Sequence, residues 1–363
     1  MRSLIVAANS KPPNAELEIR NNQRYRIDYL ELANRMSIDY VDYDNRESSV
    51  GRLRRMEELL RIDYFWSRQL AKYIREEGFK TIFSLSERVG IPLSHMMDRR
   101  INHIVMMHHP MSKKKITLLK VARTTKRWNR ILVFSHAEAD ALASELGIAR
   151  DRVRVFHFPI DIGFHHPNSV PQENDQEGFV FSIGLSHRDY PTLLKALRKL
   201  PNVPCQICGT SAWVEHRAGY EDADIPENVL IKHYDHPEVI REVYDKCRFV
   251  VIPIQHKTTQ WSAGAASVLQ PQAMGKPVIA TRTPGLADYV LDGETGILVE
   301  GGNPDATAEA IDYLWNNPER ATEMGQRASK WVQENFSLEK WLVQVEELLE
   351  EVAMTEVAPN VLE

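Results

Sequence analysis

The chain predicts an α/β protein of two doubly wound, Rossmann-like halves, each a parallel sheet covered by helices on both faces. Three observations carry this. Short apolar runs alternate with amphipathic stretches from residue 4 to residue 156. A polar run with hardly an apolar residue, 165–178, then interrupts them. Beyond it the same alternation restarts and runs almost to the end. Strand–helix alternation of this kind is the mark of a parallel sheet with helical crossovers, and 363 residues exceed a comfortable single core.

Each element has its own reason. Residues 4–8 are short and apolar, hence a buried strand, and Pro12 and Pro13 make 9–15 a loop. A helix is expected over 21–34 and a strand over 38–43. Across 52–77, apolar residues at Leu53, Met56, Leu59, Leu60, Phe65, Leu70, Tyr73 and Ile74 predict one long amphipathic helical region, ended by Gly78. Strands follow at 80–85, 103–107, 131–135 and 152–156, with helices at 91–98, 116–128 and 136–146. In the second half, strands are expected at 179–183, 204–208, 229–232, 249–253 and 278–281. Helices are expected at 192–200, 238–244, 265–274, 286–290, 304–316 and 318–335. The resulting plan is a first domain over 1–165, a linker over 166–177 and a second domain over 178–337. A terminal helix, 338–352, is placed to pack back on the first domain, and 353–363 form a frayed tail. Two such halves would face each other across a cleft between the carboxyl ends of their strands, where ligands gather.

Composition narrows the class. Hydrophobic residues at 43% and charged residues at 26% fit an ordinary soluble protein. No apolar run reaches 18 residues, and the apolar start is confined to 4–8, so it reads as a first strand rather than a signal peptide. A cytoplasmic setting is the expectation. Cys205, Cys208 and Cys247 have no second Cys/His cluster at metal spacing, and the first two sit in an apolar strand, so they read as structural. Basic residues are in excess before residue 160 and acidic ones after it. Between Arg99 and Arg130 ten basic residues meet no acidic one. That stretch suits an anionic partner or membrane surface, or simply a solvated helical face. Nucleic acid is disfavoured, since no recognised module accompanies it.

Two constellations carry chemistry. At Ser182-Ile-Gly184-Leu-Ser-His187-Arg188 a strand opens into a loop that precedes a helix. Gly184 permits close backbone approach, Arg188 offers a planar fork for phosphate oxygens, and His187 assists or caps the loop. At Ser262-Ala263-Gly264-Ala265-Ala266 small residues open a helix whose free amides can face an anion. Gln270, eight residues beyond Ser262, is expected on the same helix and roughly the same face, where its amide suits a ribose diol. The glycines of 283–286, 292–299 and 301–305 are mostly architectural. The pair His108-His109 follows a strand, one side chain expected toward the cleft and the other as support. A zinc site is not expected, for there is no HExxH and no closely spaced ligand set.

On these residues the C-terminal half resembles the nucleotide-binding domain of retaining glycosyltransferases of the GT-B fold, glycosyltransferase family 4 (group 1). The resemblance is strong over 178–305, extends across about 80–350 and is weak before 80. It implies that Gly184, His187, Arg188, Ser262, Ala263, Gly264, Ala265 and Gln270 bind a UDP- or GDP-sugar. His108 and His109 match the place of a histidine near the acceptor and transferred sugar, and with Arg188 they are the implied catalytic residues. Glu87, Lys113 and Lys114 fall on the acceptor side. The implied reaction moves a hexosyl group, with retention, to a hydroxyl of a glycan, glycolipid or small molecule. No tightly bound cofactor and no essential metal are expected, and peripheral contact with an anionic membrane at its inner face is compatible. The departures are specific. The family's paired glutamates are replaced by Ser262 and Gln270, Leu185 follows Gly184 where an arginine is usual, and Asn9–Asn14 replaces a Gly-Gly loop. They leave as alternatives a sugar-nucleotide-binding protein of the same fold without transferase activity, or a GT-B-type epimerase.

Overall fold

Both expected sheets form, each of six parallel strands, in a computed structural model that describes residues 2–46, 49–170, 178–209, 220 and 224–354. In chain order, the elements up to the middle of the chain are β1 (Ser3–Val6), α1 (Ala15–Arg20), α2 (Asp28–Met36), β2 (Asp39–Val41), α3 (Gly51–Leu60), α4 (Tyr64–Glu77), β3 (Thr81–Ser84), α5 (Glu87–Met96), β4 (Asn102–Met106), α6 (Lys113–Val121), β5 (Arg130–Val133), α7 (His136–Leu146) and β6 (Val153–Val155). Then come β7 (Val180–Ile183), α8 (Tyr190–Arg198), β8 (Cys205–Cys208), β9 (Val229–Ile231), α9 (Pro237–Lys246), β10 (Phe249–Ile252), α10 (Ala265–Ala273), β11 (Val278–Thr281), β12 (Gly296–Val299), α11 (Pro304–Asn316), α12 (Pro318–Asn335) and α13 (Leu338–Met354).

The chain divides into two units. The first comprises Met1–Ala15, Ile27–His157 and Trp341–Glu363, with strand order β2-β1-β3-β4-β5-β6. Its order reverses direction between β1 and β3, the position at which open α/β sheets bind ligands. Leu4, Ile5, Ile82, Ile104 and Ile131 are fully buried on its strands, each contributing about 1.5–3 kcal/mol. The second unit comprises Glu16–Arg26 and Phe158–Lys340, with order β12-β11-β10-β7-β8-β9. Residues 16–26 group with this second unit although the chain on either side belongs to the first. Arg26 holds Asp161 at 2.8 Å, and Arg241 donates to the Asn22 carbonyl at 3.0 Å.

Several elements differ from the expectation. The long helix of 52–77 is broken into α3 and α4, because Arg61 turns left-handed (φ 50°) and Asp63 swings its carboxylate inward. The helix of 116–128 starts earlier, at Lys113, and stops at Val121; Arg123 (φ 50°) leads into a 3-10 turn at Thr124–Arg127. The helix of 286–290 is a 3-10 turn at Leu286–Asp288. Strand β12 was not anticipated within 292–299, where glycines and turn residues dominate; it pairs with β11 at the sheet edge. The three cysteines are free and buried, and burial pushes the Cys247 thiol up to about 12. Of the expected linker, 171–177 lies outside the described residues, as does 355–363 of the expected tail.

Candidate functional site

In the second unit, β7 delivers the chain into a loop built around one side chain. Gly184 has φ +107°, and a Cβ on it would lie 2.7 Å from the Arg188 Cζ. Only glycine leaves room for the guanidinium to fold back over the strand end. Arg188 donates from Nε to the Ile183 carbonyl (2.8 Å), from Nη1 to the Ser186 carbonyl (3.1 Å) and from Nη2 to Ser267 Oγ (2.9 Å). One hydrogen on each terminal nitrogen keeps no acceptor among the described residues. The backbone is pinned as well. Arg188 bridges Ile254, Gln255 N donates to the His187 carbonyl at 2.9 Å, and Asp189 N donates to Pro253 O at 2.9 Å. His187 itself is left-handed (φ 59°), with Nδ1 3.0 Å from Thr258 Oγ1.

The second constellation meets the first at this guanidinium. Gly264 is left-handed (φ +87°), and a Cβ there would lie 3.4 Å from Arg188 Nη1 and 3.1 Å from Ile252 and Ile254. It caps α10, whose first turn carries Ala265 and whose Ser267 takes the bond from Arg188. Ser262 is therefore not on the helix with Gln270, as expected, but in the turn before it; Ala263 in that turn is buried. The turn is buttressed from behind. Thr283 Oγ1 donates to the Trp261 carbonyl at 2.6 Å, and Gly285 lies so close that a Cβ would be 2.6 Å from Ser262 N. Gln270 accepts at Oε1 from the buried Tyr244 hydroxyl (3.2 Å), which leaves its amide nitrogen without an acceptor among the described residues.

Electrostatically this loop is unusual. Arg188 is only 6% exposed, burial lowers its pKa, and no carboxylate offsets that effect among the described residues; only the Tyr190 and Tyr244 hydroxyls act in its favour. A buried guanidinium stays charged, and a buried charge without a counter-ion is costly. An anion seated here would remove that cost.

In the first unit, β3 ends at Ser84, and Ser86 caps α5 by accepting from Arg88 N at 3.2 Å. Gly90 lets α5 lie on β4, since a Cβ would sit 2.6 Å from Val105. Glu87 is fully buried and turned inward, which corrects its expected place facing an acceptor. Its carboxylate accepts from His108 N (2.9 Å) and His109 N (3.3 Å) and pairs with Lys115. Burial pushes the Glu87 pKa up, yet Lys115 above all, with His108 and His109, holds it down at about 2. The His108 ring bonds through Nε2 to the Leu85 carbonyl (2.8 Å) and packs 5.1 Å from Phe134. So Glu87 fixes the turn that carries both histidines. Lys113 and Lys114 are exposed, whereas Lys115, part of the same basic run, is buried. Lys115 lies four residues before the buried Leu119, on the inward face of α6. That spacing was the signal available in the sequence; Ser267, Tyr244 and Thr283, which complete the Arg188 loop, carried none.

Comparison with known proteins bears on the family and the fold. The model for glycosyl transferases group 1 matches residues 167–331, and that for glycosyltransferase family 4 matches 23–164. An uncharacterized glycosyltransferase of Methanocaldococcus jannaschii, MJ1178, is 34% identical over 35% of this chain and 37% of its own length. A D-inositol 3-phosphate glycosyltransferase of Paenarthrobacter aurescens is 25% identical over 68% of this chain and 64% of its own. The matched stretches thus span less than two thirds of these curated relatives. Among solved structures, Anabaena Alr3699/HepE in complex with UDP-glucose superposes with a TM-score of 0.72 at 15% identity, covering 97% of this chain and 100% of that one. The two six-stranded parallel sheets, the glycine-framed arginine loop and the paired family matches lead to one assignment: the chain belongs to the GT-B-fold glycosyltransferases of family 4, group 1.

Proposed function

We propose that the protein transfers a hexosyl group from a UDP- or GDP-sugar to a hydroxyl acceptor, with retention at the anomeric carbon. The carrying observation is Arg188: a buried cation without a carboxylate among the described residues, at the carboxyl end of β7 and between two left-handed glycines. The donor diphosphate is the anion that this loop suits. As the bond between sugar and diphosphate breaks, negative charge grows on the leaving phosphate. Arg188 and the amides around Gly184 and Gly264 stabilise it. The leaving phosphate takes the proton of the attacking hydroxyl, so no side-chain base is required. Gln270, its carbonyl held by Tyr244, offers its amide to the ribose, and Ser262 reaches the sugar less far than a glutamate would. The neighbour crystallised with UDP-glucose supports a nucleotide-sugar donor.

His108 and His109, set by Glu87, position the transferred sugar and the acceptor on the first unit, with Lys113 and Lys114 nearby on α6. Lys113, Lys114, Arg123 and Lys126 are exposed and unpaired among the described residues, which supports peripheral contact with an anionic membrane. Among those residues no helix is long and apolar enough to cross one.

Thermal-shift screening of UDP, GDP, ADP and their common sugar conjugates tests the donor. A single base should stabilise the protein, and its hexose conjugate should be consumed when an acceptor is supplied. The anomeric configuration of the product, read by NMR, tests retention. Stabilisation by none of these nucleotides would refute the assignment.

A further inference from the structure

The first unit carries a second concentration of arginine outside the residues assigned above. Asp63, fully buried at the start of α4, accepts from the Tyr43 hydroxyl on Oδ2 (2.6 Å) and from Arg88 Nη2 on Oδ1 (3.1 Å). Arg46 Nη1 approaches the same Oδ1 at 3.5 Å, and its guanidinium lies 4.7 Å from the centre of the Tyr43 ring. Among the described residues two guanidinium groups therefore share one carboxylate, leaving one positive charge in excess. A structural ion pair needs only one of them. The Arg88 and Arg46 side chains are 43% and 24% exposed while Asp63 is sealed. Arg88 Nε is nonetheless buried without a hydrogen-bond partner among the described residues.

The location matters as much as the charge. Tyr43 stands two residues beyond β2, its N–H donating to the Asn9 carbonyl beyond β1 (3.2 Å), and Arg88 lies in the first turn of the helix that follows β3. The cluster thus stands at the carboxyl ends of β2, β1 and β3, where the sheet order reverses. Open parallel sheets bind ligands at that point. Paired arginine forks match the oxygens of a phosphate.

Building on the transferase reading, we propose that Arg46 and Arg88 form a subsite for a phosphomonoester carried by the sugar acceptor. Asp63 and Tyr43 act as positioning residues: the carboxylate aims both forks, and the ring carries Arg46 in place.

The test is calorimetric titration with inorganic phosphate, glycerol 3-phosphate, and phosphatidylcholine vesicles with and without phosphatidic acid. It compares the full chain with Arg46→Gln, Arg46→Lys and Arg88→Gln, and UDP and GDP titrations of the same variants read the donor site separately. Arg46→Gln carries the decision, because Arg88→Gln can unfold the protein by stranding Asp63. We expect phosphate binding to weaken about tenfold or more in Arg46→Gln and to be partly restored in Arg46→Lys. Binding of glycerol 3-phosphate identifies a soluble acceptor; binding only to vesicles containing phosphatidic acid, lost in Arg46→Gln, identifies a lipid headgroup. Equal phosphate affinity in wild type and Arg46→Gln, or no binding of any phosphate probe, would overturn the subsite. Failure of UDP and GDP alone would instead refute the donor assignment.

Discussion

Two of the buried cations, Lys115 in the first unit and Arg188 in the second, solve the same electrostatic problem in opposite ways. Lys115 is 4% exposed and sits on the Glu87 carboxylate, which in turn holds the His108 and His109 amides. Arg188 is 6% exposed and, among the described residues, meets only carbonyls and a hydroxyl. The first arrangement is complete within the fold, and removing either partner strands a charge. The second has no carboxylate among the described residues, and the partner proposed for it is the donor diphosphate. Charge balance, more than residue type, separates the brace from the binding group.

The largest expected effect breaks the first arrangement. Lys115→Met should cost about 3–5 kcal/mol of stability by leaving Glu87 buried and unpaired, measured by denaturant unfolding. The Glu87→Leu, Lys115→Met double variant should recover only part of that loss, since the His108 and His109 amides lose their acceptor. Nucleotide affinity should be unchanged wherever the protein is folded.

Arg188→Gln should give the converse result. Nucleotide binding should fall by about 2–4 kcal/mol, while the unfolding midpoint stays near that of the wild type, since a costly buried charge has gone. Gly184→Ala sharpens the point without touching a charge. Its left-handed φ and the nearby guanidinium should together cost about 1–3 kcal/mol and displace Arg188, seen as weaker nucleotide binding in calorimetry.

The pH dependence separates the two sites further. Glu87 is held near 2 against an ordinary 4.5, so the fold binds fewer protons than the unfolded chain between those values. Its contribution, about 3 kcal/mol, should be present above pH 4.5 and be lost as pH falls toward 2. Glu87→Gln should lack that part of the acid transition. The smallest effect concerns the surface. Neutralising Lys113 and Lys114 together should weaken binding to anionic vesicles by about 1 kcal/mol per lysine at low salt and leave stability alone.

Much of this was legible in the sequence. Short apolar runs gave the positions of nearly all strands because a buried parallel strand has little choice of residue. Gly184, Arg188 and Gly264 were singled out from a strand–loop–helix pattern, and the structure brings them together. What escaped was side-chain orientation within a pattern. Lys113, Lys114 and Lys115 look alike in sequence, and only helical phase sends the third inward. Glu87 was expected on the acceptor side, but its partners are the His108 and His109 amides and Lys115, 21 to 28 residues away in the chain. Strand β12 escaped because an edge strand of four residues beginning with glycine carries almost no periodicity. The break between α3 and α4 escaped because Asp63 satisfies its charge through Tyr43, Arg46 and Arg88 rather than through its own helix.

The most direct test of the central claim is a calorimetric titration of the best-stabilising nucleoside diphosphate into wild-type, Arg188→Gln and Lys115→Met protein. We predict that wild type and folded Lys115→Met bind with similar affinity and that Arg188→Gln binds at least about a hundredfold more weakly. Equal affinity in wild type and Arg188→Gln would contradict the account, because the buried, uncompensated guanidinium would then have no part in holding the donor.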